Sequence, residues 1–385
     1  MKKLAIAIST ILTSGISAQA LAVVDNTSTV GLSGVGSTVT VYQYSSGDSS
    51  GNVSNAQVHG GFNNHASVAQ AGVKSTSGIA ITGGAHNNAN VNQLALGADN
   101  QAYVNTAGSY ATNSTINQGA GSSQGSYLSH ASSSNTAGIQ TTNSAFVNST
   151  INQGAVAVAG FRDVAISSNS ANISTSNSAG VTASINQGAV ATATGYGHNT
   201  SVAHNSASIS TTSSGLVNST INQNNFNDGV ANSASINVNQ SGGIQSIVNQ
   251  DGSMNTGNIS VSNSGGVSSS IDQNGDINTA NINMQNAYMS VADIDQLGDG
   301  NEAYIGGSGA YNFTQIAQTG DGNIAGSVTS GWGNVSTTTQ MGDNNIAYTN
   351  VSGLSNASFT GQYGNNNVSS TTVSGWGNTA TVMQY

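Results

Sequence analysis

Three aspartates, Asp299, Asp321 and Asp343, stand beside glycines at one constant interval. Carboxylates in a column of that kind can offer oxygen to a hard cation. The pairs His59/His65 and His198/His204, alike in their separation, could offer imidazole to Zn²⁺ or Cu²⁺. Both features also have a plainer account. The Gly-Gly-x-Gly-x-Asp nonapeptide of calcium-binding solenoids is absent. The aspartates are therefore read as solvated turn residues, gatekeepers whose mutual repulsion slows association. The histidines are read as surface residues in turns, and no metal site or cofactor is assigned. Trp332 and Trp376 recur in Gly-Trp-Gly-Asn, and with Tyr304 and Tyr348 they could touch surfaces, sugars or dyes, or a neighbouring sheet. Catalysis finds no constellation. Serine is plentiful, but a nucleophile needs an oriented base and acid, and Glu302 is the only glutamate. The chain is not read as an enzyme.

The chemistry that the sequence does repeat is that of the amide. Gln-x-Gly-x-x-Asn occurs at Gln296–Asn301, Gln318–Asn323, Gln340–Asn345 and Gln362–Asn367, and a final half-unit ends in Gln384-Tyr385. A second Gly-x-x-Asn falls midway in each unit, ending at Asn312, Asn334, Asn356 and Asn378. Positioning such amides requires a repeating scaffold. Gly and Asn tolerate positive φ, so Gly-x-x-Asn marks a tight turn, repeated at every eleventh position from 298 to 378. The stretches between turns alternate as strands do. Asn334, Ser336, Thr338 and Gln340 share one parity, Asn345, Ala347, Thr349 and Val351 the facing one, and both are read as inward. Strand–turn–strand–turn then closes one flattened coil of about 22 residues, a period of the size that stacked repeats use. Coils stacked at about 4.8 Å bring like residues above one another. Gln296, Gln318, Gln340, Gln362 and Gln384 form one amide ladder; Asn301, Asn323, Asn345 and Asn367 a second; Asn312, Asn334, Asn356 and Asn378 a third. Stacked amides satisfy one another inside a thin core.

Composition agrees. Charged residues are 5%, and the 385 residues include no Pro and no Cys. Proline removes a ladder hydrogen bond, so its absence suits a chain made mostly of strand. The segment 1–22 reads as a secretory signal peptide. Lys2 and Lys3 precede the apolar run Leu4–Leu12, and small-residue cleavage patterns follow at Ala18-Gln-Ala20 and Ala20-Leu-Ala22. Without that segment Lys74 and Arg162 face 14 acidic residues, a net charge of −12. Such a surface repels phosphate backbones and has no basic patch for an anionic membrane, so neither nucleic-acid binding nor membrane insertion is expected.

Four segments follow: the signal peptide 1–22, loosely periodic β-repeats over 23–110, irregular middle repeats over 111–240, and regular repeats stepping by 22 or 23 over 241–385. In the second segment Gly36, Gly47, Gly60, Gly72, Gly84, Gly97 and Gly108 step by 11 to 13. In the third, Ile-Asn-Gln recurs at Gln118, Gln153, Gln187 and Gln223, spaced 35, 34 and 36. Those units admit three short arms or two arms with longer loops, and the middle block is expected to be the least regular.

Gln-x-Gly-x-x-Asn-x-Ala, repeated at this period, resembles the curlin repeat of curli fibre subunits. Asn301-Glu-Ala303, Asn323-Ile-Ala325 and Asn345-Ile-Ala347 fit it, whereas Asn367-Val-Ser369 departs by one side chain. Where the family places a second Gln, this chain has Gly307, Thr329, Val351 and Val373. The resemblance implies an all-β, curlin-like β-solenoid. It also implies a secreted subunit that polymerises with itself into cell-surface fibres, exported through a curli-type outer-membrane pore and started by a surface nucleator. The alternative is a monomeric β-solenoid adhesin that binds carbohydrate or another cell.

Overall fold

A computed structural model describes residues 17–22, 26–45, 51–125, 129–196, 198–212, 215–226, 229–240, 242–263 and 265–385. Among these residues the regular elements are all β-strands. Lys2, Lys3 and the apolar run of the expected leader lie outside the described residues. Ser17–Ala22, its last part, forms strand β1.

The chain falls into two compact units, one comprising residues up to 208 with 225–230, the other 209–224 with 231–385. Each is a β-solenoid of two parallel sheets. In the first unit β1 pairs with β3 (Thr38–Tyr44), followed by β5 (His65–Gly72), β7 (Asn88–Leu96), β9 (Asn113–Gln124), β11 (Asn148–Phe161) and β13 (Ala179–Tyr196). The intervening strands β2 (Thr27–Val35), β4 (Val53–Phe62), β6 (Ser75–Thr82), β8 (Asp99–Ala107), β10 (His130–Thr142), β12 (Val164–Ser176) and β14 (Thr200–Thr212) make the opposite sheet.

In the second unit one sheet runs β15 (Gly215–Phe226), β17 (Gly242–Asp251), β19 (Ser268–Asn274), β21 (Val291–Leu297), β23 (Phe313–Thr319), β25 (Val335–Met341), β27 (Ala357–Tyr363) and β29 (Thr379–Gln384). The other runs β16 (Gly229–Asn239), β18 (Thr256–Ser262), β20 (Thr279–Tyr288), β22 (Glu302–Ala310), β24 (Ile324–Trp332), β26 (Ile346–Leu354) and β28 (Val368–Trp376).

Consecutive strands lie in opposite sheets, so each coil contributes two strands whose alternate residues meet inside. Burial follows this parity: Asn334, Ser336, Thr338 and Gln340 are buried, as are Asn345, Ala347, Thr349 and Val351. A column of β-branched residues lies two positions before the inward glutamines. It is Val41, Val68, Val91, Ile116, Ile151 and Ile185 in the first unit, and Ile221, Val248, Ile271, Ile294 and Ile316 in the second, all buried. Burying each such side chain stabilises the stack by about 1.5–3 kcal/mol. Beyond Ile316 the column turns to Thr338 and Thr360, and hydroxyls meet across the core, as at Ser327–Ser336 (2.7 Å). The column expected to lack glutamine is inward too. Met284, Gly307, Thr329, Val351 and Val373 pair in succession.

The expectation of longer or displaced loops in the middle repeats is corrected. Successive coils there are 35 and 34 residues long, as the spacing of paired glutamines gives. Both arms remain, and the surplus lengthens the strands: β9 to β14 hold 12 to 18 residues each. β11 matches its neighbours residue for residue over most of its length, with Ile116↔Ile151↔Ile185 and Gln118↔Gln153↔Gln187. The physical reason is parity. Added residues come with alternate alanines, so Ala157, Ala159, Ala189, Ala191 and Ala193 point inward against Ala131, Ala165 and Ala203. Methyl groups fill the narrow space between sheets, and extension in steps of two leaves the pattern of faces unchanged.

Candidate functional site: the amide ladders and the turn columns

Every inward glutamine of the second unit before the last donates from Nε2 to Oε1 of the next coil. The distances are 2.7 Å for Gln223→Gln250, 2.8 Å for Gln250→Gln273 and 2.9 Å for Gln273→Gln296. Gln296→Gln318 is 2.8 Å, Gln318→Gln340 and Gln340→Gln362 are 2.9 Å, and Gln362→Gln384 is 2.8 Å. The second Nε2 proton goes to a backbone carbonyl of the opposite strand, as from Gln318 to Glu302 and Gln340 to Ile324, both 3.0 Å. Both amide protons are thus used, which a buried amide requires. Gln384, in the last coil, is only half-buried.

The ladder has a counterpart, of which the recurring Ile-Asn-Gln marks Gln118, Gln153 and Gln187 but not Gln43, Gln70 and Gln93. In the first unit Gln43, Gln70, Gln93, Gln118, Gln153 and Gln187 are joined by the same bonds at 2.7–2.8 Å. Their intervals are 27, 23, 25, 35 and 34, so no fixed period reveals them. The signal that does is a β-branched residue two positions earlier. On the opposite sheet Asn100, Asn135, Asn169 and Asn205 form a further missed ladder at 3.0 Å. Each lies at an inward position, as the burial of all four shows.

The predicted asparagine columns act mainly on backbone. Asn323 and Asn345 donate their backbone N–H to Oδ1 of Asn301 and Asn323 at 3.0 Å, and Asn367 does the same to Asn345. The Nδ2 groups of Asn301 and Asn345 reach the carbonyls of Gly320 and Gly364, each at 2.8 Å. In the other turn the Nδ2 groups of Asn334, Asn356 and Asn378 close on the carbonyl of Ser330, Ser352 and Ser374 at 2.8 Å. Asn312 closes on Ser308 at 3.0 Å. These asparagines clamp turn to turn and also bond one another, the Nδ2 groups of Asn323, Asn345 and Asn356 reaching Oδ1 of Asn301, Asn323 and Asn334 at 3.1, 3.1 and 3.3 Å. Asn378 is exposed and Asn367 half-buried.

The turn aspartates stack on the surface. Asp299, Asp321 and Asp343 accept the backbone N–H of Asp276, Asp299 and Asp321 at 2.8, 2.9 and 3.0 Å, and Asp343 donates in turn to Asn365 at 2.8 Å. Asp276 thus extends the column, hidden from the sequence by a step of 23. Among the candidate histidines, His59 meets Gln57 (3.2 Å), His65 meets Thr38, and His204 meets Ser168. Burial lowers the pKa of His204. Among the described residues no three of His, Cys, Asp and Glu group to hold a metal ion. Trp332, Leu354 and Trp376 pair in one corner column, with Tyr311 5.2 Å from the Trp332 ring.

A second acidic group lies on the outer face of the β19/β21 sheet. Asp272 pairs with Asp295 in the neighbouring strand, and Asp293 is two residues before Asp295 on the same face. Loss of hydration raises all three carboxyl pKa values; the Asp295 charge adds to it at Asp272, and the Asp293 charge at Asp295. At Asp293 loss of hydration is opposed by a hydrogen bond from Gln315, while the Asp272 charge adds to the rise. The other groups facing them are Asn249, Ser270 and Ala317, and the nearest further charge along this face is Asp251 beside Asn274. A folded-state pKa raised above the unfolded one means that stability is greatest below the unfolded value and falls as pH rises through the folded one. Asp272→Asn is therefore expected to raise the melting temperature at pH 7 and to leave it little changed at pH 3. Thermal melts at the two pH values check this.

The curlin associated repeat family matches residues 291–320. That stretch begins with β21 and runs through both turns and β22 into β23, one full coil with the start of the next. No match is found among curated proteins. The coil bounded by Gln296 and Gln318 is bonded as its neighbours at Gln340 and Gln362 are, and the chain is a β-solenoid that carries the curlin repeat.

Proposed function

We propose that the chain is a secreted structural subunit of curli-like fibres, self-assembling at the cell surface by addition of coil to coil. One observation carries this reading. Within 291–384 every coil holds the next by the same glutamine bond and the same register. Bonds that join coils within a chain can equally join a coil of a second chain, since an open strand edge templates pairing. The leader 1–22 would be removed on export. An outer-membrane pore and a surface nucleator are the partners that such a subunit requires.

Purified chain released from denaturant is expected to form fibres seen by electron microscopy, with a lag in thioflavin fluorescence that preformed fibres abolish. A soluble monomer that persists under these conditions would instead support the adhesin. The turn aspartates supply a sharper test. Like charges stacked at about 4.8 Å repel by roughly 1 kcal/mol per adjacent pair in water. The triple change Asp299→Asn, Asp321→Asn, Asp343→Asn keeps the Oδ1 acceptor, as Asn365 does in the next coil. The lag at pH 7.5 should shorten, and an unchanged or longer lag excludes a gatekeeping role.

A further inference from the structure

The two sheets of the first unit do not end level. In one, β2 is the outermost strand, and its inward residues Ser28, Val30 and Leu32 are only half-buried, whereas Ser54, Ala56 and Val58, paired with them in β4, are buried. In the other, a further strand lies beyond the first coil: β1 pairs with β3 residue for residue, from Ser17↔Thr38 to Ala22↔Gln43. β1 belongs to the segment read as a leader, and both small-residue cleavage patterns fall inside it. It covers the edge of β3 without completing the ladder. Gln43 is buried and donates to Gln70 Oε1 at 2.7 Å, but its own Oε1 has no hydrogen-bond partner. That is the atom through which Gln70, Gln93 and Gln118 accept from the coil before them. The residue of β1 paired with Gln43 is Ala22, a type without an amide. The matching donor is in the second unit. Gln384 donates from Nε2 to the Val368 carbonyl at 2.9 Å. In Gln340 and Gln362 the other Nε2 proton goes to the glutamine of the next coil. β29 is the outermost strand of its sheet, so in Gln384 that proton is left for a glutamine beyond it.

We propose that β1 is a guard strand, a role that rests on the fibre reading: it holds the seat on the first coil that β29 of a second copy takes once the leader has been cut away. Three features fit β29 to that seat. It is six residues long, and carrying the ladder from Gln384 to Gln43 lays Thr379–Gln384 over Thr38–Gln43, the same residues that β1 covers. Inward residues then match, with Ala380 over Val39, Val382 over Val41 and Gln384 over Gln43, and each half-buried side chain of β29 gains a buried neighbour. On the outer face Tyr385, stacked on Tyr363 at 5.6 Å, comes beside the exposed Tyr44. Finally, β2, β3, β28 and β29 contain no charged residue, the usual device that protects an edge from pairing. β28 meets β2 as β29 meets β3. The switch is hydrolytic. A leader peptidase adds water across the peptide bond after Ala20 or Ala22, leaving a carboxyl on the leader and an amine on the chain. Untethered, the short strand loses the effective concentration that kept it paired, and the edge opens.

Three chains released from denaturant side by side test this: the full chain, one from residue 17, which keeps β1 without the apolar run, and one from residue 23. The thioflavin lag of both chains that keep β1 is expected to exceed that of the third by roughly fivefold or more. Before fibres appear, amides of β3 should exchange roughly tenfold more slowly in the chain from residue 17 than in the chain from residue 23. The occupant is identified by cross-linking, since the chain has no cysteine of its own. Fibres are grown from an equal mixture of Tyr44→Cys and Tyr385→Cys chains from residue 23 and then oxidised. Neighbouring strands at about 4.8 Å lie within disulfide reach, so covalent dimers of the two variants should form. A mixture of Tyr42→Cys and Tyr385→Cys, out of register, should give about tenfold fewer. Equal lags or equal exchange in β3 would overturn the guard strand. Dimers absent, or equal from the two mixtures, would overturn β29 as its successor. If none of the chains forms fibres, the fibre reading falls with that successor, and exchange in β3 alone decides the guard.

Discussion

Gly298→Ala is expected to cost about 4 kcal/mol or more and to part the coils on either side of it, because two penalties act together. The residue has φ near +116°, where an L side chain is strained, at about 1–3 kcal/mol. A Cβ there would also lie 2.3 Å from the carbonyl oxygen of Gly320 in the next coil. That neighbour is backbone held by its own ladder and cannot turn aside. Two residues on, Gly300 has φ near +66° and open space where a Cβ would go. Asn344 and Asn366 occupy the equivalent place in later coils with φ of 57° and 61°. Gly300→Asn should therefore stay within about 1 kcal/mol of wild type. Urea unfolding midpoints compare the two variants. Amide hydrogen exchange in β22 to β24 should show the local opening in Gly298→Ala alone.

The second large effect belongs to the ladder interior. Gln340→Ala removes the acceptor of Gln318, the donor of Gln362 and the proton held by the Ile324 carbonyl. Unpaired groups in a dry core cost about 1–3 kcal/mol each, so a loss of roughly 3–5 kcal/mol is expected, and fibre growth should slow with it. Gln384→Ala removes one ladder bond at a half-exposed position and should cost about 1 kcal/mol. Equal losses at the two positions, measured by urea titration, would show that ladder bonds are not what holds coil to coil. Tyr348→Ser, on the outer face, should leave growth nearly unchanged.

The fold was legible where residue type and spacing coincide. Gln296 to Gln384 recur at one interval, and parity between turns gave their inward side. Gln43, Gln70 and Gln93 were not legible by interval because coils in the first unit differ in length, although the β-branched residue two positions earlier marks them all. The middle block misled for a related reason. Its lengthened strands are rich in Gly, Ala, Ser and Val, types that suit a loop as well as a strand, and only pairing with a neighbouring coil shows that they extend the sheet. The second left-handed position of each turn was hidden too. It holds Gly300, Gly322, Asn344 and Asn366 in one turn, and Tyr311, Gly333, Ser355 and Gly377 in the other, all with positive φ. A shared conformation carried by unlike residues leaves no motif. Tyr304 and Tyr348 stand out in the sequence, but Gly326 between them acquires meaning only from the Tyr348 ring one strand away.

The glutamine ladders have a sense as well as a spacing. In both units each Nε2 points toward the following coil and each Oε1 toward the preceding one, without a reversal from Gln43 to Gln187 or from Gln223 to Gln384. In this ladder the two ends of a stack are unlike, one presenting glutamine amide protons and the other glutamine amide oxygens, so its continuation runs head to tail, while the asparagine ladder from Asn100 to Asn205 donates in the opposite sense. Filaments made by these bonds would be vectors, with tips that differ chemically, and a molecule that caps one tip is expected to leave the other free to grow.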